Sequence, residues 1–537
     1  MGPAASGGGP QPLSVIEPGQ SISDWMLDAG ERGNPDTSID QRHAGGLGWT
    51  VGNDVTPLPH GKNYFDVLLK TIEDTTAGDL VFFTDWRGDP DEALDDSGKA
   101  VSTVLCEAAG RGVVVKGLIW RSHWDVLRFS SEQNRRLGAE IEAAGGECLL
   151  DMRVRPGGSH HQKIVVVRHP ERPELDVAFV GGIDLCHSRR DDADHDGDDQ
   201  SQEMSEEYGR TPPWHDIQLA VRGPAVGDVE YSFRERWCDP SPLSHNPFRL
   251  VRGLLSGEDL TADPIPQQLP EPKPQGDHVV QVLRTYPYRM RGYPFAGKGE
   301  RSIARAYSKA LSRAGSLIYL EDQYLWSAEI ADIFAAALRR SPELRLIAVV
   351  PMFPDTDGLS GRAQVLGRDY ATAILDEAGG DRVAVYALEN RAGKPVYVHA
   401  KVCVIDDVWS CVGSDNLNIR SWTHDSELSC AVMDSNGGTG FGRELRMRLH
   451  REHLDRRSGD DGDLIEPVGL FEAYRRTAQT LDDWHDVGAG SPRPAGRLRR
   501  YVPQRLSPLQ RAMATPVYHA ICDPDGRPRR LRRHHQF

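Results

Sequence analysis

The sequence predicts an α/β protein built from two similar halves, with mixed sheets flanked by helices and the functional residues at a pseudo-twofold interface. Three observations predict it. A helix–strand pattern recurs in the same order in both halves of the 537-residue chain, too long a period for a solenoid and therefore a duplication. An HxK triplet followed by four apolar residues occurs in each copy, once as His161-Gln162-Lys163 and once as His399-Ala400-Lys401. Each copy then closes with a short strand running into a glycine turn, Gly181-Gly182 in the first and Gly413-Ser414 in the second.

The elements follow in order. Residues 65–72 carry apolar side chains at helical spacing, and 80–84 read as a strand ending at Asp85. A second β-rich run covers 112–120 and leads to the first HxK. In the second copy, 303–314 read as a helix, 317–320 as a strand ending at Glu321, and 344–351 as the second β-rich run. Between the copies, residues 264–276 are rich in Pro and Gln and read as a linker. The predicted organisation is an N-terminal extension (1–45), a first half (46–260), a linker (261–277), a second half (278–490) and a Pro/Arg-rich tail (491–537).

Composition narrows the function. Hydrophobic residues make up 39% and charged residues 26%, an ordinary globular balance. The net charge of −16 repels a phosphate backbone and counts against a nucleic-acid partner. No apolar run approaches the roughly 18 residues needed to cross a bilayer. The first twelve residues lack the basic and apolar regions of a signal peptide, and the eight cysteines are scattered without a CxxC pair. A cytoplasmic protein, at most peripheral on a membrane, is expected.

In a β-strand, residues two apart project to the same face, so in the strands read at the two triplets His161 joins Lys163 and His399 joins Lys401. A neutral imidazole can attack phosphorus, and a protonated one can give a proton to a leaving oxygen. A lysine beside each neutralises phosphoryl oxygens without a metal. His160 points to the opposite face and reads as structural. There is no GxSxG elbow, phosphate loop or HExxH zinc helix.

The second copy, His399-x-Lys401-x4-Asp406 with Gly413-Ser414-x-Asn416-x-Asn418-x-Arg420-Ser421, resembles the HKD motif of the phospholipase D superfamily. Gly181-Gly182-Ile183-Asp184, Trp214-His215-Asp216 and Glu321-Asp322-Gln323-Tyr324 resemble its phosphatidylcholine-hydrolysing branch. The resemblance spans roughly residues 60–500 and implies a duplicated phospholipase D fold that needs no cofactor. It implies a phosphohistidine on His161, His399 as acid/base, and Lys163, Lys401 and Asn416 as phosphate ligands. The residues alone do not order the two histidines. It also implies that Asp216 serves His399 and Glu427 serves His161, each from the opposite half. Asp406, Gly181, Gly182, Gly413 and Ser414 are structural in that pattern. Arg168 stands where the first copy's motif aspartate belongs, which puts the packing of that half in question.

The implied partners are a phospholipid at a membrane surface and water or an alcohol as acceptor, with the chain working as a monomer. Rival readings are a cardiolipin-synthase-like phosphatidyltransferase, an HKD nuclease and a non-catalytic phospholipid-binding relative. Asp192, Asp194, Asp196, Gly197 and Glu203 fit the oxygen-ligand spacing of a Ca2+ loop, although Asp199 stands where such loops carry an apolar residue. An acidic solvated insertion is the preferred reading there. Residues 286–301 mix aromatic and basic side chains and read either as the mouth of the site or as a plain loop. The arginines of 527–533 read as a solvated tail, and Asp184 as a turn residue.

Overall fold

Strand pairing carries the duplication into three dimensions. A computed structural model describes residues 21–122, 131–244, 259–488 and 490–537. The first-half strands are β1 (Thr50–Pro59), β2 (Leu80–Asp85), β3 (Val114–Trp120), β4 (Glu147–Asp151), β5 (Ile164–Arg168), β6 (Val177–Gly181), β7 (Trp214–His215) and β8 (Ile217–Arg222). The second-half strands are β9 (His278–Tyr286), β10 (Glu300–Arg301), β11 (Leu317–Asp322), β12 (Arg345–Val349), β13 (Val383–Glu389), β14 (Pro395–Val398), β15 (Lys401–Ile405), β16 (Trp409–Gly413) and β17 (Glu427–Asp434). The first sheet runs β4-β3-β2-β5-β6-β8-β1. The second runs β13-β12-β11-β15-β16-β17-β9, the same order strand for strand. In each, the three strands joined through helical crossovers are parallel and the rest antiparallel, as their connections require. Strands β1 and β9 pair with each other and stitch the sheets together.

Helices follow the same register. Gly61–Glu73 buries Tyr64, Phe65, Leu68, Leu69 and Ile72, one helical face, on the first sheet. Ser302–Leu311 does the same on the second. One apolar cluster takes Val166, Val180 and Leu219 from the first half and Val402, Val412 and Leu428 from the second. At about 1.5–3 kcal/mol per buried aliphatic side chain, this shared core fixes the halves against each other.

Three expectations need correction. The HxK histidines sit just before their strands, because β5 begins at Ile164 and β15 at Lys401. Their backbone N–H groups bond across to the other half instead of into their own sheet. Glu321 is not the counterpart of Asp85. Asp322 lies opposite Lys401, while Thr84 lies opposite Ile164, which leaves Asp85 against Lys163. A one-residue register difference puts Glu321 on the other face. The region from 491 is not a loose tail: Leu498–Arg500 adds β18 beside β13, and helix Pro508–Val517 leads to buried Tyr518. Arg527 is buried between Glu329 and Asp525, whereas Arg529, Arg530, Arg532 and Arg533 remain exposed. Within the N-terminal extension, Trp25, Met26 and Leu27 are buried and Arg32 pairs with Glu300 of the second half. The first twelve residues lie outside the described ones.

In the segment 286–301, Tyr286, Tyr293 and Phe295 pack on one another as a small core, while Tyr288 and Met290 reach solvent. The two motif positions that differ between halves are both satisfied. Asp406 accepts from Gly315 N, Ser316 N, Ser316 Oγ and Leu317 N at 2.7–2.8 Å, closing the turn before β11. Arg168 instead pairs with Asp176 at 2.8 Å and with Glu230, and donates to the linker carbonyl of Pro270. Arg168 is thus an internal tie, not a sign of decay. Arg168→Met leaves buried Asp176 without its arginine and Glu230 with Arg234 alone, and should cost about 3–5 kcal/mol, read as a lowered denaturant midpoint. Activity per folded molecule should be unchanged.

Candidate functional site

Each HxK histidine is oriented by the half it does not belong to. His161 N donates to the carbonyl of Ser426 at 2.9 Å, and its Nδ1 lies 2.8 Å from Oε2 of the next residue, Glu427. His399 N donates to the carbonyl of His215 at 2.7 Å, and its Nδ1 lies 2.6 Å from Oδ2 of Asp216. Backbone and side-chain bonds to consecutive residues fix both the position and the plane of each ring. With Nδ1 engaged, Nε2 is the nitrogen left for a reacting atom. The carboxylates are held in turn: Ser414 Oγ donates to Glu427 at 2.6 Å, and Ile217 N to Asp216 at 2.9 Å. A side chain at Gly182 would run into Asp216, and one at Gly413 into Ser429, which is why the turns are glycine.

The lysines are buried with their histidines. Lys163 Nζ donates to the carbonyl of His161 at 3.0 Å and sits 3.4 Å from Asp184. Lys401 donates to the carbonyl of His399 and, at 3.0 Å, to Gln323 Oε1, and lies 3.1 Å from His399 Nδ1. Burial, then Lys163 and Lys401, hold His161 well below the usual histidine range. Burial, then Lys401 and Arg189, do the same to His399. The two triplets meet in one site through a run of contacts from Lys163 to Asp184, Asp184 to Arg189, Arg189 to the Trp214 ring and that ring to His399, 5.0 Å away. Burial pushes Lys401 down to about 8. Burial, then Asp425, pushes Glu427 up to about 8. His161 keeps 16% of its side chain exposed and His399 6%, so His161 presents the more open ring.

Asn416 is buried nearby in sequence position to Ser414, with its amide oxygen unpartnered. Asn418 caps the helix Ile419–Thr423 through Ser421 N. His160 bonds Gln162 at 3.2 Å on the face away from His161. Three further residues join the site. Asp184 is no mere turn residue: burial disfavours its charge, but Lys163 and Arg189 outweigh that and hold it ionised. Arg189 is buried, 3.4 Å from Asp184 and 4.1 Å above the Trp214 ring. Gln323 completes the Lys401 contacts. Asp184 occupies the place in its glycine turn that Asn416 has in the other copy, a signal available by aligning the halves. Arg189 lies on a loop with no counterpart in the repeat.

The carboxylates of the loop with Ca2+-ligand spacing do not converge. Asp192 lies 3.7 Å from Lys62, Asp194 lies 3.9 Å from Arg497, and Asp198 accepts from backbone N–H groups. Among the described residues, the groups of ligand atoms within 4.8 Å of one another include none of Asp192, Asp194, Asp196 and Glu203.

Comparison with known proteins agrees with this geometry. Residues 92–331 match the family model for phospholipase D, and residues 307–443 match that for cardiolipin synthase, PLD-like domain. Phospholipase D alpha 1 of Arabidopsis thaliana is 25% identical over 83% of this chain and 71% of its own length. Phospholipase D alpha 1 of Cynara cardunculus is 26% identical over 68% of this chain and 60% of its own. Among solved structures, phosphatidylserine synthase of Haemophilus influenzae superposes with a TM-score of 0.50 at 13% identity, covering 80% of this chain and 94% of that one, a likeness of fold.

Because both histidines are depressed, neither should take up a proton until the pH falls below the range where a free histidine titrates. Nitrogen-15 NMR of labelled histidines, assigned with single variants, should show both rings neutral at pH 6. An imidazolium signal from either ring at pH 7 would contradict this electrostatic description.

Proposed function

The chain belongs to the phospholipase D superfamily, and from that premise we propose that it cleaves phospholipids such as phosphatidylcholine to phosphatidic acid and the free headgroup. The observation that carries the proposal is the pair of histidine–carboxylate couples, each spanning both halves and each backed by a buried lysine. In the first step, His161 Nε2 attacks phosphorus and the bond to the headgroup oxygen breaks. His399, protonated as the anionic diester arrives, gives its proton to that oxygen. Lys163, Lys401 and the amide of Asn416 balance charge on the non-bridging oxygens. In the second step, His399 takes a proton from water, the oxygen attacks phosphorus, and the phosphorus–nitrogen bond breaks to release phosphatidic acid.

The more exposed ring of His161 supports this order of roles. An alcohol in place of water would give transfer of the phosphatidyl group. The match of residues 307–443 to the cardiolipin synthase, PLD-like domain supports that second activity. Both triplets lie in one chain, which supports a monomer as the working unit. Among the described residues, no helix is long and apolar enough to cross a membrane. All eight cysteines are free, which supports a reducing, cytoplasmic setting with peripheral access to lipid.

With phosphatidylcholine vesicles and no added metal, the purified protein should release choline, and His161→Ala and His399→Ala should each lose at least about 10³-fold. Full activity in either variant would remove the shared site, and inertness on all phospholipids would remove the substrate. The alkaline limb of kcat/KM should fall with an apparent pKa of about 8, as Lys401 loses the proton that makes it a phosphate ligand. Lys401→Arg should carry that limb upward, because a guanidinium stays charged above pH 12. An unmoved limb would assign the titration to another group.

A further inference from the structure

Behind the Asp216 couple lies a second group of convergent side chains that the phosphodiester chemistry does not use. His60 follows β1, His195 lies in the acidic loop, His215 ends β7, and Glu452 comes from the helix Gly440–His453 of the second half. All three histidines are buried, and one nitrogen of each turns toward the Glu452 carboxylate. His60 Nε2 is 2.7 Å from it, His195 Nε2 3.0 Å and His215 Nδ1 3.5 Å. These four ligand atoms all lie within 4.8 Å of one another.

The rings are arranged around a point. Their centroids are 5.0, 5.3 and 5.5 Å apart and their planes cross at 63–83°. Three imidazoles bound tetrahedrally to zinc through bonds of about 2.0–2.1 Å would place their ring centres about 5.2 Å apart. The far nitrogens of His195 and His215 are tied as metal-bound histidines usually are, while Nδ1 of His60 is buried without a partner among the described residues. His195 Nδ1 lies 3.0 Å from the Trp214 carbonyl, and His215 Nε2 lies 2.6 Å from Glu321, which a second contact from His453 at 2.7 Å holds in place. The His195 ring therefore stands between two acceptors, the Trp214 carbonyl and Glu452. A neutral imidazole has one N–H and can satisfy only one of them. A cation between the rings and Glu452 removes the conflict, since each facing nitrogen then offers a lone pair. The backbone points the same way: His60 has φ 67° and His195 φ 56°, left-handed values that non-glycine residues adopt at a cost of order 1–3 kcal/mol.

We propose that His60, His195, His215 and Glu452 form a closed structural site for a Zn2+-class ion that pins the acidic loop and the second-half helix behind the active site. Three nitrogens and one carboxylate oxygen are a tetrahedral zinc donor set, and the four protein ligands leave no open position for substrate. The site reaches the chemistry through His215, whose carbonyl receives His399 N and whose neighbour is Asp216. It also gives a reason for Glu321 to face away from the lysines.

The test uses the full-length protein purified without chelators, exchanged into metal-free buffer after incubation with zinc chloride, and analysed by inductively coupled plasma mass spectrometry. One zinc per chain is expected, and growth on cobalt should give the intense visible bands of tetrahedral Co2+. His195→Asn and Glu452→Gln should lose the ion, while His161→Ala should keep it. Should the ligand variants fail to fold, the wild-type stoichiometry and cobalt spectrum decide by themselves. A wild-type protein without stoichiometric zinc, a six-coordinate cobalt spectrum, or zinc retained in folded His195→Asn would overturn the proposal. None of these readouts depends on which substrate the enzyme cleaves.

Discussion

The reciprocal bond between each histidine and the opposite half is the constraint on which the rest depends. His161 is held by Ser426 and Glu427, and His399 by His215 and Asp216, through the same pair of backbone and side-chain contacts. Neither half holds its own histidine in this way. The pairing of β1 with β9 and the apolar cluster drawn from both sheets therefore serve the chemistry directly. A shift of one half by a fraction of a hydrogen-bond length would disturb both couples at once, because such bonds weaken steeply with distance and angle.

That geometry comes with an electrostatic cost. Two lysines, an arginine, several carboxylates and two imidazoles are buried in one small volume, where an unpaired charge is expensive. The site meets this by interleaving signs: Asp184 between Lys163 and Arg189, and Lys401 against Gln323 and the His399 carbonyl. Burial, then the two lysines and Arg189, keep both imidazoles unprotonated until an anion arrives. A phosphodiester brings the negative charge that the empty arrangement lacks, so substrate binding and activation of the acid are one event.

Much of this was legible in the sequence, and what was not has definite physical causes. The repeat, the two HxK triplets and the glycine turns are short-range patterns, and all occupy equivalent places in the two sheets. Pairing Asp85 with Glu321 failed by one residue, since counting along the chain does not reveal strand register, and one step reverses the face. Asp184 looked like a turn residue because its lysine partner is remote from it in the chain. The region after 491 looked loose from its Pro and Arg content, yet a three-residue strand and a buried tyrosine dock it through long-range contacts. His60, His195, His215 and Glu452 fit no motif spacing, because the fold alone brings them together.

The central claim is that one histidine of this shared site becomes covalently bonded to phosphorus. Mixing the enzyme with a short-chain phosphatidylcholine, quenching at neutral-to-alkaline pH within one turnover and mapping the adduct by mass spectrometry tests it most directly. The account predicts a phosphatidyl group on His161, accumulating further when Asp216→Asn slows the second step. Steady turnover with no phosphorus on any histidine, through a time course fine enough to resolve a single turnover, would contradict it.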